Sequence, residues 1–220
     1  MRWHHEHRQE SGVPRHPSDG LAWKHFDQKY PNFAAEPRNL RLGLCANGFI
    51  PFSISGRSYF VWPIIVTPYN LPPDMCMTTP YMFISCVIPG PKNPKNRIDV
   101  YLQPLIDELK MLWDVGVDTF DISCEKTFRL HAALMWIIND FSAYGMLSDW
   151  SIHGLLTCPL CMHQNCTFQL QHGQKPSWFD CYRRFLPRNN CFRANKVTFR
   201  KGNSIHIGHP KGFLVKYCLI

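Results

Sequence analysis

The sequence contains no apolar run that approaches the roughly 18 residues a membrane-spanning helix requires. Its first eight residues are mostly polar, so the apolar core of a secretory signal peptide is missing there. The pattern excludes a membrane-spanning protein. We expect a protein that is not secreted and acts inside the cell.

Acidic residues are absent after Asp180, although this part of the chain is rich in basic and aromatic side chains. The formal net charge of the whole chain is +8. Basic charge interleaved with aromatic rings is typical of a surface that contacts nucleic-acid phosphates. We expect DNA contact here, with a solvated basic tail as the alternative. The candidate DNA-binding residues are Arg183, Arg184, Arg188, Arg193, Lys196, Arg200 and Lys201.

Cysteine is abundant, with ten residues, but the missing secretory signal argues against a disulfide scaffold. Cys45, Cys76, Cys86 and Cys124 lie in apolar runs and are predicted to be buried free thiols. A second group has the spacing of zinc ligands, with a redox pair or two buried thiols as alternatives. The zinc candidates are Cys158 and Cys161, with Cys166 or His163 as a third ligand and His172, Cys181 or Cys191 as a fourth.

The pattern of apolar residues predicts an α/β protein with one mixed sheet. A polar segment with a short helix capped by Asp19 comes first, and Pro63 marks an edge or a bulge in the second strand. Short loops favour antiparallel pairing of the first three strands, and a helical crossover ending at Gly116 favours parallel pairing with the fourth. The predicted strands are residues 39–52, 58–66, 81–88 and 118–138, and the helix is residues 98–113.

The fourth predicted strand ends in Asn139-Asp140 before a short loop at residues 141–145. Three strands, a helix and a fourth strand are the start of the ribonuclease-H-like fold, in which carboxylates on the first and fourth strands hold two divalent ions. Mg²⁺ prefers such carboxylate oxygens. Asp140 occupies the fourth-strand position and Asn47 the first-strand position. Alternatively, Asp140 caps a helix or turn and Asn47 is a turn residue before Gly48.

Several short motifs along the chain carry a resemblance to one protein family. They occupy residues 1–5, 15–20, 37–42, 69–73, 88–91, 99–105, 138–141, 158–161 and 184–187. On these motifs the chain resembles the transposase of plant CACTA-type (En/Spm) DNA transposons over residues 1–201. The resemblance implies a nuclear enzyme that cuts and joins DNA at transposon ends through an acidic triad and Mg²⁺ or Mn²⁺. It also implies other transposase subunits as partners.

Carried over residue by residue, Asp140 resembles the second acid of the family, and Cys158 with Cys161 resembles its zinc-binding pair. Asn47 stands where the family has aspartate, so the negative charge of the first acid is lost. Tyr182 and Asn190 stand where the family usually has histidine. The third acid lies further along the family sequence than the end of this chain. We therefore expect a truncated and inactive catalytic core, with a non-catalytic DNA-binding or regulatory relic as the alternative.

The resemblance divides the chain into four predicted parts. A polar N-terminal extension at residues 1–38 precedes the incomplete ribonuclease-H-like sheet at residues 39–150. A basic segment with the zinc-binding-like CxxC insertion follows at residues 151–201, and a divergent tail at residues 202–220 ends the chain. Among the remaining candidates for metal binding, the cluster of His4, His5 and His7 is predicted to be exposed surface rather than a chelator.

Overall fold

The fold divides after Leu147 into two units, and each is described by itself. The computed structural model describes residues 1–7, 14–51, 59–148, 150, 154, 157, 167–169, 173–177 and 186–195. In chain order the first unit contains α1 (Trp3–Glu6), α2 (Leu21–Lys29), α3 (Pro31–Ala34), β1 (Leu40–Ala46), β2 (Trp62–Pro68), β3 (Phe83–Ile88), α4 (Ile98–Asp114), β4 (Val117–Asp121), β5 (Lys126–Leu130), β6 (Ala132–Ile137) and α5 (Phe141–Leu147). The elements described in the second unit are β7 (Phe168–Gln169), β8 (Pro176–Ser177) and α6 (Cys191–Ala194).

A four-stranded mixed sheet in the order β3-β2-β1-β6 forms the centre of the first unit. β2 is antiparallel to both of its neighbours, with Leu44 opposite Val66 on β1 and β2, and Trp62 opposite Ile88 on β2 and β3. β6 is parallel to β1 and places Ile137 opposite Leu44. The antiparallel meander and the parallel pairing after the helical crossover confirm the predicted mixed sheet.

Apolar side chains cover both faces of this sheet, which explains the nearly continuous apolar runs in its strands. On one face, α4 and α5 pack against buried residues of β1, β2 and β3. This cluster contains Leu44, Ala46, Trp62, Ile64, Ile88, Ile98, Leu102 and Ala143. On the other face, α2 and α3 supply aromatic rings. That cluster contains Trp23, Phe26, Phe33, Tyr69, Ala133 and Met135.

Residues 118–138 form a hairpin and a separate strand, so the prediction of one long strand is wrong. β4 and β5 pair antiparallel in a two-stranded sheet of their own. At the turn, Oδ1 of Asp121 accepts hydrogen bonds from Ser123 N (3.0 Å) and Ser123 Oγ (2.6 Å), and Glu125 adopts a φ of 51°. This turn contains no glycine or proline, so the sequence gives little signal of it. Cys124 lies within the turn and is exposed instead of buried.

Residues 141–145 belong to α5 and not to a loop. The prediction for Asp19 is also wrong, because α2 begins after Gly20 and has no side-chain cap. The carboxylate of Asp19 instead accepts hydrogen bonds from the backbone of Arg15 (2.9 Å) and His16 (3.0 Å). These bonds fix the turn that precedes α2.

His4 is buried, with 1% of its surface exposed, so the prediction of an exposed histidine is wrong at this position. Its ring lies 5.0 Å from the ring of Trp23, because α1 packs against α2. Pro63 lies in an interior strand, so the edge alternative is wrong too. The irregularity in strand register comes one residue later, between Ile64 and Ile65. Among the described residues, no helix is long and apolar enough to cross a membrane.

Candidate functional site

The two residues predicted to hold a divalent ion emerge at the same edge of the sheet. β1 and β6 are parallel and pair through Leu44 and Ile137, and Asn47 and Asp140 each lie three residues beyond that pair. The backbone N–H of Ile138 donates to the carbonyl of Leu44 at 2.8 Å, so the pairing continues past β6. Asn47 and Asp140 are both exposed at this edge. The predicted juxtaposition of the two strand ends is therefore present.

Asn139 fastens the two strand ends to each other. Its side-chain oxygen accepts a hydrogen bond from the backbone N–H of Ala46, the residue that precedes Asn47. This contact joins the two chain segments where the backbone hydrogen bonds between β1 and β6 end. Sequence reasoning assigned no role to Asn139, and the only signal for one is its place immediately before the strand-end acid.

Asp140 begins α5 as a helix cap. Its Oδ1 accepts the backbone N–H of Ala143 at 2.6 Å, and its carbonyl accepts the N–H of Tyr144 at 2.9 Å. This pattern is that of an N-cap, which satisfies amide groups that the first turn of a helix leaves without partners. The capping alternative for Asp140 is thus correct. Oδ2 makes no hydrogen bond to any residue that the structure describes.

Asn47 does not lie in a turn, because no turn separates β1 from Phe49, which pairs with Val61 through hydrogen bonds of 3.0 and 2.9 Å. Gly48 is required for a different reason. A Cβ atom at this position would overlap the indole ring of Trp62, which is 2% exposed. The Asn-Gly pair is therefore explained by close packing at the sheet edge and not by turn conformation.

Cys45, next to the strand end, is half-buried, and its surroundings keep it protonated. Burial raises the pKa of its thiol, and the negative charge of Asp140 raises this pKa further. Because only the thiolate is a good metal ligand, Cys45 is a poor donor near neutral pH. Cys45, Cys76 and Cys86 were predicted to be buried, and all three are half-buried free thiols.

The residues at this edge do not fit a pair of divalent ions. They offer one carboxylate, already used in part as a cap, and one neutral amide, whereas two-metal sites are built on several carboxylates. Among the described residues, no group of three or more His, Cys, Asp or Glu side chains could hold a metal. Asp118 and Asp121 cannot substitute, because they pair with Arg129 at 3.0 Å and Arg38 at 2.9 Å.

Most of the predicted zinc and DNA-binding residues lie outside the described part of the chain. These are Cys158, Cys161, His163, Cys166, His172, Cys181, Arg183, Arg184, Lys196, Arg200 and Lys201, whereas the zinc candidate Cys191 is described and exposed. Of the two described arginines, Arg188 is exposed, as a DNA contact requires. Arg193 is 4% exposed, and its guanidinium donates to the carbonyl of Leu186 at 2.9 Å. The structure places Arg193 inside the second unit, where it holds the backbone.

One protein-family model matches most of the chain. The model described as transposase family tnp2 matches residues 11–217. The chain belongs to the transposase family tnp2. No curated protein and no solved structure matches it. The tnp2 match continues past Lys201 into residues 202–217, the first part of the predicted divergent tail.

Membership in the tnp2 family confirms that the chain is related to transposases, which in general bind DNA. The strand-end edge lies within the matched residues, and so does the basic stretch after Asp180.

Proposed function

We propose that the chain derives from the transposase of a CACTA-type (En/Spm) DNA transposon and now binds DNA without cutting it. The ancestral reaction is metal-dependent cleavage and transfer of DNA strands at transposon ends. Support comes from tnp2 membership and from the motifs that resemble the plant CACTA enzymes. A nuclear location follows from this function.

The arrangement of the first unit supports a ribonuclease-H-like ancestry. An antiparallel meander of three strands, a crossover helix and a fourth strand parallel to the first give the order β3-β2-β1-β6. The carboxylates of that fold follow the first and fourth of these strands. Asn47 and Asp140 occupy those two positions in this chain.

The observation that carries the proposed loss of cleavage is the amide at Asn47 beside the carboxylate of Asp140. An amide has the shape of a carboxylate but no negative charge, so it compensates poorly for the dehydration of Mg²⁺. Without two ions held by carboxylates, the attacking and leaving oxygens of phosphoryl transfer lose their charge stabilisation. DNA binding needs none of these groups, since basic side chains supply it.

The test measures nicking of supercoiled DNA by the purified chain with Mg²⁺ or Mn²⁺. We expect no metal-dependent nicking above that of the Asp140→Asn variant, which keeps the helix cap, loses the negative charge and serves as the matched control. The Asn47→Asp variant is expected to remain inactive, because it offers two carboxylates at this edge, one of them already used in part as a cap, where the family resemblance implies an acidic triad. Strong Mg²⁺-dependent nicking that disappears in Asp140→Asn would show that the chain is an active nuclease.

A zinc site in the second unit is the remaining part of the proposal. The CxxC spacing of Cys158 and Cys161 supports it, with Cys166 and His172 as further ligands. Metal analysis of the chain purified without added metal should find about one zinc per chain, the value for one site of this type. The Cys158→Ser variant should lose it, whereas Cys124→Ser, at an exposed turn of the first unit, should keep it. Equal zinc content in both variants would contradict the site.

A further inference from the structure

The loop that connects β3 to α4 is a second basic feature, separate from the stretch after Asp180. Residues 89–97 contain Lys92, Lys95 and Arg97 and no acidic residue. All three side chains are exposed. Among the described residues, none of the ion pairs involves them, whereas Arg38, Arg41 and Arg129 are all paired with carboxylates. The loop therefore presents positive charge to solvent.

The sheet topology places this loop at the edge that carries Asn47 and Asp140. β3 runs in the same direction as β1, because both are antiparallel to β2. The last residue of β3, Ile88, is paired with the first residue of β2, Trp62, and the loop leaves the sheet from this end. The ends of β1, β3 and β6 are consequently at one edge.

One buried cluster connects the loop to both strand-end residues. Ala46 precedes Asn47, Ile98 follows Arg97, and Ala143 donates its N–H to Asp140. These three cluster residues are each 0% exposed. The 3-10 turn at Lys95–Arg97 also lies beside α5. The turn that carries Lys95 and Arg97 is thus held beside α5, the helix that Asp140 caps, by the core of the first unit.

The loop has a defined conformation. The backbone N–H of Lys95 donates to the side chain of Asn93 at 2.8 Å, and Arg97 N–H donates to the Pro94 carbonyl at 3.1 Å. Lys95 has a φ of 50°. Asp99, in the first turn of α4, is the acidic residue that follows the loop most closely in sequence. Asp99 and Asp140 together balance two of the three positive charges.

Exposed apolar side chains adjoin the same edge. Phe49 is 51% exposed two residues after Asn47, and Phe141 is 41% exposed directly after Asp140. Exposed aromatic rings beside a basic surface are typical of proteins that bind single strands, because unpaired bases stack on the rings. The edge therefore offers basic side chains for the phosphates and aromatic rings for the bases of a DNA strand.

We propose that Lys92, Lys95 and Arg97 bind the phosphates of a DNA strand that lies along the Asn47–Asp140 edge. This inference rests on the proposed DNA-binding function and names the contact in the first unit. The first 147 residues contain 14 basic and 14 acidic side chains, so general attraction by the unit as a whole is weak. Binding here depends on the local arrangement of these three residues.

The test compares two variants of the full chain that each lose three positive charges. The loop variant is Lys92→Gln, Lys95→Gln and Arg97→Gln. The matched control is Lys24→Gln, Lys110→Gln and Lys126→Gln, all at exposed positions on other parts of the first unit. Fluorescence anisotropy measures binding of a single-stranded and a duplex oligonucleotide across a salt series.

The slope of log affinity against log salt should become shallower by about one for each phosphate that is no longer bound. For the loop variant this is about three in total. We expect its affinity at low salt to fall at least about tenfold, with the control close to wild type. Equal behaviour of the two variants would overturn the loop site and leave DNA binding intact. Absence of any DNA binding by the wild-type chain would overturn both proposals.

A measurement on the wild-type chain makes the test independent of how the variants fold. Acylation of lysines with and without the single-stranded oligonucleotide, followed by mass spectrometry, reports which amines DNA covers. Lys92 and Lys95 should be protected, and Lys24 and Lys110 should react equally in both samples. Equal modification of Lys92 and Lys95 with and without DNA would contradict the proposal.

Discussion

Asp140 stabilises the start of α5 through its Oδ1 atom, whatever else the carboxylate does. The bond to Ala143 is short, at 2.6 Å, and Ala143 is completely buried beneath the sheet edge. A capping carboxylate is favourable at a helix N-terminus because unpaired N–H groups point towards it. The residue therefore contributes to the stability of the fold, and loss of activity in Asp140→Ala is not by itself evidence for metal binding.

Asp140→Ala should lower the free energy of unfolding by about 1 kcal/mol, the usual cost of removing an N-cap. Asp140→Asn should stay close to wild type, because asparagine is an equally good cap. Urea denaturation monitored by circular dichroism measures both variants. Asp74→Ala, which removes an exposed carboxylate from a loop, is the control. An equal loss in Asp140→Ala and Asp140→Asn would show that the negative charge matters more than the cap.

Gly48→Ala should destabilise the first unit by about 1–3 kcal/mol, the range for overpacking a filled core. The added methyl group would overlap the buried ring of Trp62. The same substitution in a Trp62→Leu background should cost less, because the smaller side chain leaves room for the methyl group. A double-mutant cycle from chemical denaturation gives this coupling. Additive effects would mean that Trp62 is not the neighbour that excludes a side chain.

At the scale of the elements, the strands that pair side by side could be predicted, but short elements between them could not. β1, β2, β3 and α4 follow from apolar periodicity and proline-rich turns. The hairpin of β4 and β5 was missed because its turn depends on the Asp121 side chain and on Glu125, a residue that rarely adopts positive φ. α5 was missed because a seven-residue helix with an internal glycine has little intrinsic stability and depends on the Asp140 cap and on burial of Ala143.

The juxtaposition at the sheet edge was predictable for a similar reason. Parallel strands that are neighbours must end at one edge, so the position of Asn47 beside Asp140 follows from the topology. The contact from Asn139 to Ala46 depends on side-chain geometry that the strand pattern does not contain. The burial of Arg193 was also unpredictable, because a basic side chain in a basic stretch gives no sign of an internal hydrogen bond to Leu186.

The β4–β5 hairpin is attached to the start of β1 by Arg38. Its guanidinium pairs with Asp121 at 2.9 Å and Glu36 at 2.6 Å, and lies 3.6 Å from the centre of the Phe128 ring. Hydrogen bonds from Ser123, together with Arg38, hold the pKa of Asp121 below its usual range. A carboxylate with a lowered pKa contributes stability above its unfolded pKa, about 3.9, and this contribution is lost as the pH falls below that value.

Asp121→Asn should therefore lower the melting temperature at pH 7, and the difference from wild type should shrink as the pH falls below about 4. Asp118→Asn is the matched control, because its pair with Arg129 is more than half exposed and should contribute little. Thermal unfolding between pH 7 and pH 3 measures both variants. A difference between wild type and Asp121→Asn that is independent of pH would contradict this account of Arg38.

At the scale of the whole molecule, charge is divided unequally between the two units. The first 147 residues are balanced, so the net charge of +8 belongs to residues 148–220. Long-range attraction to DNA should come from this part, whereas contacts near Asp140 depend on a few residues of the β3–α4 loop. A basic region can supply general affinity for DNA, while a small set of positioned phosphate contacts orients the protein on it. The two features are therefore complementary.

Replacing the candidate DNA-binding residues other than the buried Arg193 by glutamine should remove most of the salt-dependent affinity for DNA. The variant changes Arg183, Arg184, Arg188, Lys196, Arg200 and Lys201. Each phosphate that the variant no longer neutralises should lower the slope of log affinity against log salt by about 0.9 on duplex DNA. Arg193→Gln is the contrast, because its side chain is buried and bonded to Leu186, so stability should fall while the slope stays the same. A large slope change in Arg193→Gln alone would show that this arginine reaches DNA after all.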